Sequence, residues 1–335
     1  MEITDIMVGK MFKRLNLIGR SLSIAIVVFG STFAYAQKDK PKPLPQGKAI
    51  LWEKIDIPSR DLFAGPGGES MRPDLSNITF IKQETGGHNK KYRIKDGSGR
   101  IWVAKPGTEA LPETASVRLL YGLGYVTEIN YLVPKITIPS VGTLENVRLE
   151  ARPEGIKRLD PWSWENNPFV GSNELQGLKI MQIFLTNYDL LDLQNQTLEV
   201  QGPSGTELHY IISDLGSTLG KLGSNNVPIF FRMGRNADNP EGWNKSKFID
   251  GVENGHLMLA TTGAKSRGLF KDITLAQGRW LFDLLAQLTD KQLNDAFRAA
   301  GYSPAEINLL IGATKRRIGE LGTATRQGST TGMNK

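Results

Sequence analysis

The 335-residue chain has no cysteine and only three histidines. Without cysteine it can form neither a disulfide nor the lipid attachment of a bacterial lipoprotein, and thiolate zinc sites are excluded. His88, His209 and His256 are scattered along the sequence, so they provide no zinc ligand set. A composition of 39% hydrophobic and 22% charged residues is typical of a globular protein, and the length allows either one large domain of two lobes or two ordinary domains.

Motifs for several other functions are also missing. The formal charge is +7, but no block of Lys and Arg interleaved with aromatics indicates nucleic-acid binding. There is no G-x-S-x-G sequence and no Ser-His-Asp order, so a hydrolase triad is not supported. A carboxylate pair for glycoside hydrolysis stays open, because acids far apart in sequence can meet in the fold.

Residues 1–36 have the three-part pattern of a secretory signal. Four basic residues precede the apolar run SLSIAIVVFGSTF, and Ala34 and Ala36 stand where a signal peptidase requires small side chains. The run is shorter than the about 20 residues of a membrane span. We therefore expect cleavage after Ala36 and a periplasmic or secreted bacterial protein with no stable membrane anchor. A single anchor is the alternative, and Met7 or Met11 are alternative starts.

The remaining sequence predicts an α+β fold in two lobes. The Pro- and Lys-rich residues 37–48 predict a tether, and 49–160 a β-rich N-lobe with a hairpin at Asp96-Gly97 and one helix near 112–123. Residues 161–321 predict a mainly helical C-lobe, with capped helix starts at Asn173 and Thr289. The aperiodic residues 322–335 predict a disordered tail.

Three segments of this chain carry polar residues in a suggestive order. The first runs from the loop TGGHN at 85–89 through Val-Ala-Lys at 103–105 to the acids Glu109 and Glu113. The second is TNYDLLDLQNQTL at 186–198, and the third is IISDLGSTLG at 211–220. A phosphotransferase needs a glycine loop, a Lys with a Glu partner, an Asp at the acceptor, and an amide and a strand-end Asp for Mg²⁺.

In this order the chain resembles the protein-kinase-like superfamily, in particular its atypical branch of HipA-type and lipid kinases. The segments WSWENNPF, ELQGLKIMQIFLTNYDLLDLQN, ISDLGSTLGK and DAFRAAGYSPAEI also resemble a family of exported bacterial proteins of unassigned function. The resemblance covers roughly residues 78–320. It implies a two-lobed protein-kinase-like fold that binds ATP or another phosphate-bearing ligand with Mg²⁺ or Mn²⁺ between its lobes.

The resemblance also implies a role for each matching residue. Asp189 matches the catalytic Asp, and Asp214 matches the Asp that binds Mg²⁺. The cofactor-binding positions match Gly86, Gly87, Lys105 and Glu113, with Glu109 competing for the role of Glu113. Where the D-x-x-x-x-N pattern has its metal-binding Asn, this chain has Gln194, with Asn195 next to it, and either side chain is a candidate for the companion ligand.

Other observations favour a degenerate site. No H-R-D motif is present, and Leu191 stands where a polar residue is usual. ATP is also scarce outside the inner membrane. The alternatives are therefore an inactive periplasmic pseudokinase, a module that binds an unknown protein or envelope partner, and a glycan binder using Trp162 and Trp164. For these two tryptophans, packing in a hinge is the favoured interpretation.

Overall fold

The computed structural model of this chain describes residues 43–85, 89–223 and 235–330. The predicted signal peptide at 1–36 and the first part of the tether lie outside the described residues. Residues 43–47 are exposed and carry no regular structure, and the first strand begins at Lys48. Within the described residues, no helix is long and apolar enough to cross a membrane.

A five-stranded antiparallel sheet forms the N-terminal part of the fold. Its strands have the spatial order β2-β3-β4-β6-β5. One face of this sheet is apolar and packs Ile94, Trp102 and Leu149 into a small core. Since successive side chains of a strand point to opposite faces, the residues between them face away from this core. The strands are β2 (Thr79–Glu84), β3 (Lys91–Lys95), β4 (Ile101–Pro106), β5 (Asn130–Ile138) and β6 (Gly142–Ala151).

The helix α1 (Ala110–Gly122) follows β4 and lies against β5 and β6 on one side and against the C-lobe helix α5 (Asp290–Ala299) on the other. It was expected at 112–123, and the difference lies in the first turn. Because two sides are covered, even polar residues of α1 are buried, including Glu113 and Arg118. Arg118 donates hydrogen bonds to the backbone and side-chain oxygens of Asn130 in β5.

A second sheet pairs two short strands of the predicted N-lobe with two strands of the C-lobe, in the spatial order β1-β9-β8-β7. The strand β1 (Lys48–Ile50) runs parallel to β9 (Gly205–Ile212), and β7 (Lys157–Arg158) pairs with β8 (Asn195–Gly202). The predicted N-lobe boundaries of 49 and 160 thus include two short strands that pair with C-lobe strands. Pairing between strands far apart in sequence leaves no local signal, so the composition of the sequence does not reveal that β1 and β7 pair with C-lobe strands.

The C-lobe is mainly helical, as predicted. A buried helix leads to the Asp189 segment, and its N-cap is Ser172, one residue before the expected Asn173. The predicted cap at Thr289 is confirmed, because Thr289 and Gln292 form a capping box. The elements are α2 (Asn173–Phe184), α3 (Pro240–Lys245), β10 (Ile249–Glu253), β11 (His256–Leu259), α4 (Leu275–Leu285), α5 (Asp290–Ala299) and α6 (Pro304–Thr330).

The end of α6 corrects the predicted disordered tail. The helix continues to Thr330, whereas disorder was expected from residue 322. Leu321 and Ala324 are buried. A Cβ at Gly322 would lie 2.4 Å from the ring of Phe282 in α4, so the glycine allows the two helices to approach closely. Small residues pack here in place of large apolar ones, and hydrophobic periodicity therefore does not predict the last turns of this helix, after residue 321. The α+β class with a β-rich N-lobe and a mainly helical C-lobe is confirmed.

Candidate functional site

Lys105 lies at the centre of a cluster of ionisable side chains below the N-terminal sheet. Its neighbours Trp102 and Ala104 point into the apolar core, so Lys105 points to the opposite face. Its Nζ atom lies 2.9 Å from a carboxylate oxygen of Glu109, 3.4 Å from Glu113 and 3.8 Å from Asp214. Side chains from the first and the third of the three polar segments are therefore in contact.

The electrostatics keep Lys105 charged. Its side chain is only 4% exposed. Burial alone lowers the pKa of Lys105, but the nearby carboxylates of Glu113 and Asp214 outweigh this effect and raise the pKa above its ordinary value. For Glu113, burial raises the pKa of the carboxyl, and Arg148 and Lys105 offset part of that rise.

The two competing acids, Glu109 and Glu113, occupy different environments. Glu113 is 2% exposed and its Oε2 also lies 3.1 Å from Nε of Arg148 in β6. Glu109 is 30% exposed, and its carboxylate accepts a hydrogen bond of 2.6 Å from Nδ2 of Asn89. The buried acid is thus part of a fixed ion-pair network, while the outer acid connects Lys105 to the segment before β3. Gly86 and Gly87 lie outside the described residues.

Asp214 lies directly after β9, where the chain turns toward α1. Its Oδ1 accepts a hydrogen bond from the backbone N–H of Gly216, and its side chain is 35% exposed. Gly216 has no room for a side chain, since a Cβ would lie 2.7 Å from Cβ of Glu109. Thr218, in the same segment, shares a 2.8 Å hydrogen bond with Ser116 of α1. These contacts fix Asp214 against the helix that carries Glu113.

Asp189 belongs to a loop held by a buried amide pair. Nδ2 of Asn187 donates to Oε1 of Gln182 in α2, and Oδ1 of Asn187 accepts from the backbone N–H of Asp189. One oxygen of Asp189 lies 2.5 Å from Nζ of Lys265, and the other accepts a 3.0 Å hydrogen bond from Nε2 of Gln194. The Asp189 carboxylate is therefore held between a lysine and an amide.

Gln194 connects Asp189 to the Asp214 strand. Its backbone oxygen accepts a 2.8 Å hydrogen bond from the N–H of Ser213, the residue before Asp214. Its side-chain oxygen accepts no hydrogen bond from the residues that the structure describes. The amide nitrogen orients the group on Asp189 and leaves the oxygen available as a ligand.

Asn195, the other predicted metal ligand, points elsewhere. It is 1% exposed, and its Nδ2 donates to the backbone oxygen of Trp162. Its buried Oδ1 has no hydrogen-bond partner in the described part of the chain. Of the two candidates, Gln194 is partly exposed and Asn195 is buried. Nowhere in the described ranges do three Asp, Glu, His or Cys side chains gather around one metal position.

The buried charges continue from Lys105 across the sheet. Arg148 pairs with Glu113 and, at 2.8 Å, with Glu150. Glu150 also contacts Arg152. Arg158 lies 3.9 Å from Glu150 and 2.8 Å from Glu128, so it connects these two carboxylates. Burial and Glu150 raise the pKa of Glu128 to about 7, against the opposing effect of Arg158. The sequence analysis missed this network, although the alternation of Arg148 and Glu150 along β6 places both on the face opposite the apolar core.

A cavity of about 520 Å³ lies at the far end of this network. Its walls come from the end of α1, the segment after β6, and strands β8 and β9. It combines apolar surface with the ion pair of Arg158 and Glu128. The cavity is separate from Lys105 and Asp214, which do not line it. Lining residues include Tyr121, Ala151, Ile156, Leu198, Val200 and His209.

A second cavity of about 520 Å³ is lined by Leu191, Asp192 and Leu193 of the loop that carries Asp189, although Asp189 itself does not line it. Leu191 and Leu193, from the Asp189 loop, contribute exposed apolar surface to it. Trp164 also lines it but is 3% exposed, and Trp162 is 4% exposed with its Nε1 donating to the backbone oxygen of Ile211. The two tryptophans thus pack in the core next to this cavity, as the sequence favours, and do not form an exposed platform for sugar stacking.

Comparisons with known proteins give structural similarities only. No protein-family model and no curated protein matches this sequence. The fold is similar to the crystal structure of a Helicobacter pylori proinflammatory kinase, CtkA, with 13% identity, a TM-score of 0.48, and coverage of 76% of this chain and 98% of that one. It is also similar to hydra Fam20 with sugar (11% identity, TM-score 0.39, coverage 79% and 88%). A third similar structure is the Golgi casein kinase with Mn and ADP bound (8% identity, TM-score 0.35, coverage 76% and 73%).

Proposed function

We propose that this protein is a phosphotransferase that transfers the γ-phosphoryl group of ATP to a hydroxyl acceptor. The observation that carries the proposal is the contact of buried Lys105 with Glu109, Glu113 and Asp214. Arg148 balances one of these carboxylates, so the accessible side of the cluster, at Glu109 and Asp214, keeps an excess of negative charge. A divalent cation bound at these accessible carboxylates offsets that excess and holds the phosphates of the ligand beside Lys105.

The residues present fit a magnesium or manganese ion. Asp214 offers a carboxylate that is 35% exposed, and Gln194 offers the amide oxygen described above. Mg²⁺ commonly binds through one or two protein oxygens and completes its shell with water and phosphate oxygens, so a larger cluster of acids is unnecessary. When bound, the ion neutralises charge on the phosphates.

Each residue then has a definite task in the reaction. The ammonium of Lys105 binds phosphate oxygens of ATP, and Glu113 fixes its position. Asp189 accepts the proton of the acceptor hydroxyl as that oxygen forms a bond to the γ-phosphorus. The bond from the γ-phosphorus to the bridging oxygen breaks, and its electron pair leaves with ADP. The phosphorylated acceptor and ADP are the products.

The cavity lined by Leu191, Asp192 and Leu193 fits the acceptor, because it opens on the loop that carries Asp189. Its exposed apolar side chains, Leu191 and Leu193, fit a protein or envelope partner.

We also propose export to the bacterial periplasm, based on the pattern of residues 1–36. The N-terminal sequence of the protein recovered from periplasmic and membrane fractions tests this. A mature chain beginning at Gln37 in the periplasmic fraction is expected. Recovery of the uncleaved chain in the membrane fraction would support the anchor instead.

Thermal unfolding with ATP and Mg²⁺ or Mn²⁺ tests the function. A ligand at 100 times its Kd stabilises the folded protein by about 2.7 kcal/mol, which corresponds to a rise in Tm of about 5 °C at this size. The rise should be present in the wild type and in the control Asp250→Asn, because the side chain of Asp250 is 45% exposed and lies outside the proposed site. It should be lost in Asp214→Asn.

Absence of any rise in the wild type at millimolar nucleotide would contradict the proposal. Transfer is then measured with γ-labelled ATP, the protein itself and envelope extracts. Nucleotide binding without transfer to any acceptor or to water would leave a nucleotide-binding protein without turnover, which is the pseudokinase alternative.

A further inference from the structure

Lys265 reaches the Asp189 loop from a distant part of the chain. It follows β11 and lies 76 residues after Asp189. Its backbone N–H donates a 3.0 Å hydrogen bond to the carbonyl of Tyr188, which places the two segments side by side. Its Nζ lies 2.5 Å from Oδ1 of Asp189, and its side chain is 31% exposed. The lysine is thus anchored through its backbone while its ammonium group reaches solvent.

The loop that carries Asp189 provides no cation of its own. Residues 186–195 read TNYDLLDLQN and contain neither Lys nor Arg. Lys105 is buried against three carboxylates of the other cluster. If Asp189 binds the acceptor hydroxyl, a positive charge beside the γ-phosphoryl group near Asp189 has to come from another segment of the chain. Lys265 lies close enough to provide it.

The distances of the transfer support this role. A hydroxyl held by Asp189 lies about 2.6–3.2 Å from its carboxylate, and the phosphorus it attacks lies about 3–3.5 Å beyond. The oxygens of the γ-phosphoryl group therefore lie within a few ångströms of the Asp189 carboxylate, where the ammonium of Lys265 already is. A small rotation of the long lysine side chain brings it from Asp189 onto those oxygens.

We propose that Lys265 is a catalytic residue that binds the γ-phosphoryl group of ATP during transfer. The proposal rests on the proposed function and names a residue that it did not include. The ammonium keeps its proton throughout. It exchanges its contact with Asp189 for one with the phosphoryl oxygens, which frees the carboxylate to accept the acceptor's proton as the bond to ADP breaks.

The test compares ligands with and without the third phosphate. Binding of ADP and of the non-hydrolysable β,γ-imido analogue of ATP, each with Mg²⁺, is measured by titration calorimetry on the full chain. In Lys265→Met, the affinity for the analogue should fall by about tenfold or more, the usual scale of a hydrogen bond between charged groups, while the affinity for ADP stays unchanged. The control Lys271→Met changes an exposed lysine six residues on and should alter neither affinity.

Lys265→Arg keeps the charge, and should retain the preference for the analogue. It provides a second variant if Lys265→Met does not fold. Equal weakening of ADP and the analogue in Lys265→Met, or no weakening of either, would refute the role of Lys265 while leaving the proposed function intact. If the wild type binds neither ligand, the proposed function fails, and the role of Lys265 fails with it.

Discussion

Arg148→Met is a direct test of whether the charges below the sheet are buried as a network. Arg148 is 4% exposed and lies 3.1 Å from Glu113 and 2.8 Å from Glu150. Methionine fills a similar volume but leaves both carboxylates without this partner. Removing one member of a buried ion pair costs about 3–5 kcal/mol, because the remaining charge stays desolvated. For a domain of this size we expect Tm to fall by about 6–10 °C.

The free energy of unfolding is measured by urea denaturation of wild type and variant. Arg279→Met is the matched control, because Arg279 makes an ion pair of 2.8 Å with Asp283 while both side chains are about half exposed. An exposed pair contributes about 0–1 kcal/mol, so the control should be nearly as stable as wild type. If Arg148→Met costs no more than Arg279→Met, the network is hydrated and the assignment of Glu113 as a fixed partner of Lys105 fails.

Two further predictions concern stability. Burial and Glu150 raise the pKa of Glu128 from 4.5 to about 7. Between these two pH values the folded protein keeps a proton on Glu128 that the unfolded chain has released. The free energy of unfolding therefore falls as the pH rises from about 4.5 to about 7. Glu128→Gln removes this loss, and urea denaturation at pH 5 and pH 8 should show the variant gaining up to about 3 kcal/mol relative to wild type; a relative gain by wild type would contradict it. Gly322→Val forces a side chain against Phe282 and should cost about 1–3 kcal/mol, whereas Gly319→Val, which meets no atom within 4 Å, should not; equal unfolding free energies would refute the close packing of α4 and α6.

The contacts of Lys105 were largely predictable because their signals are local. Glu113 follows Lys105 by eight residues and lies in α1, the helix that begins shortly after β4. Asp214 lies two residues after the end of β9, where the sequence Asp-Leu-Gly predicts that the strand has ended. The choice between Glu109 and Glu113 was not predictable, because residues four apart share one helix face and only burial separates them.

The rest of the site depends on contacts that no short segment records. Lys265 meets Asp189 across 76 residues, and nothing around Lys265 resembles a motif. Gln194 and Asn195 are adjacent, and the start of β8 between them turns their side chains to different sides. Arg148 and Glu150 alternate with the apolar residues Val147, Leu149 and Ala151 along β6, and this alternation places both charged side chains on the face away from the apolar core.

The parallel pairing of β1 with β9 has a consequence for how the chain folds. Lys48 is the register partner of Glu207, and a salt bridge of 3.3 Å connects their side chains. During synthesis the first strand of the fold emerges about 160 residues before the strand it pairs with, at a rate of about 5–20 residues per second. For many seconds Lys48–Ile50 therefore has no strand to pair with, and the sheet that contains β1 is completed only after β9 has been made.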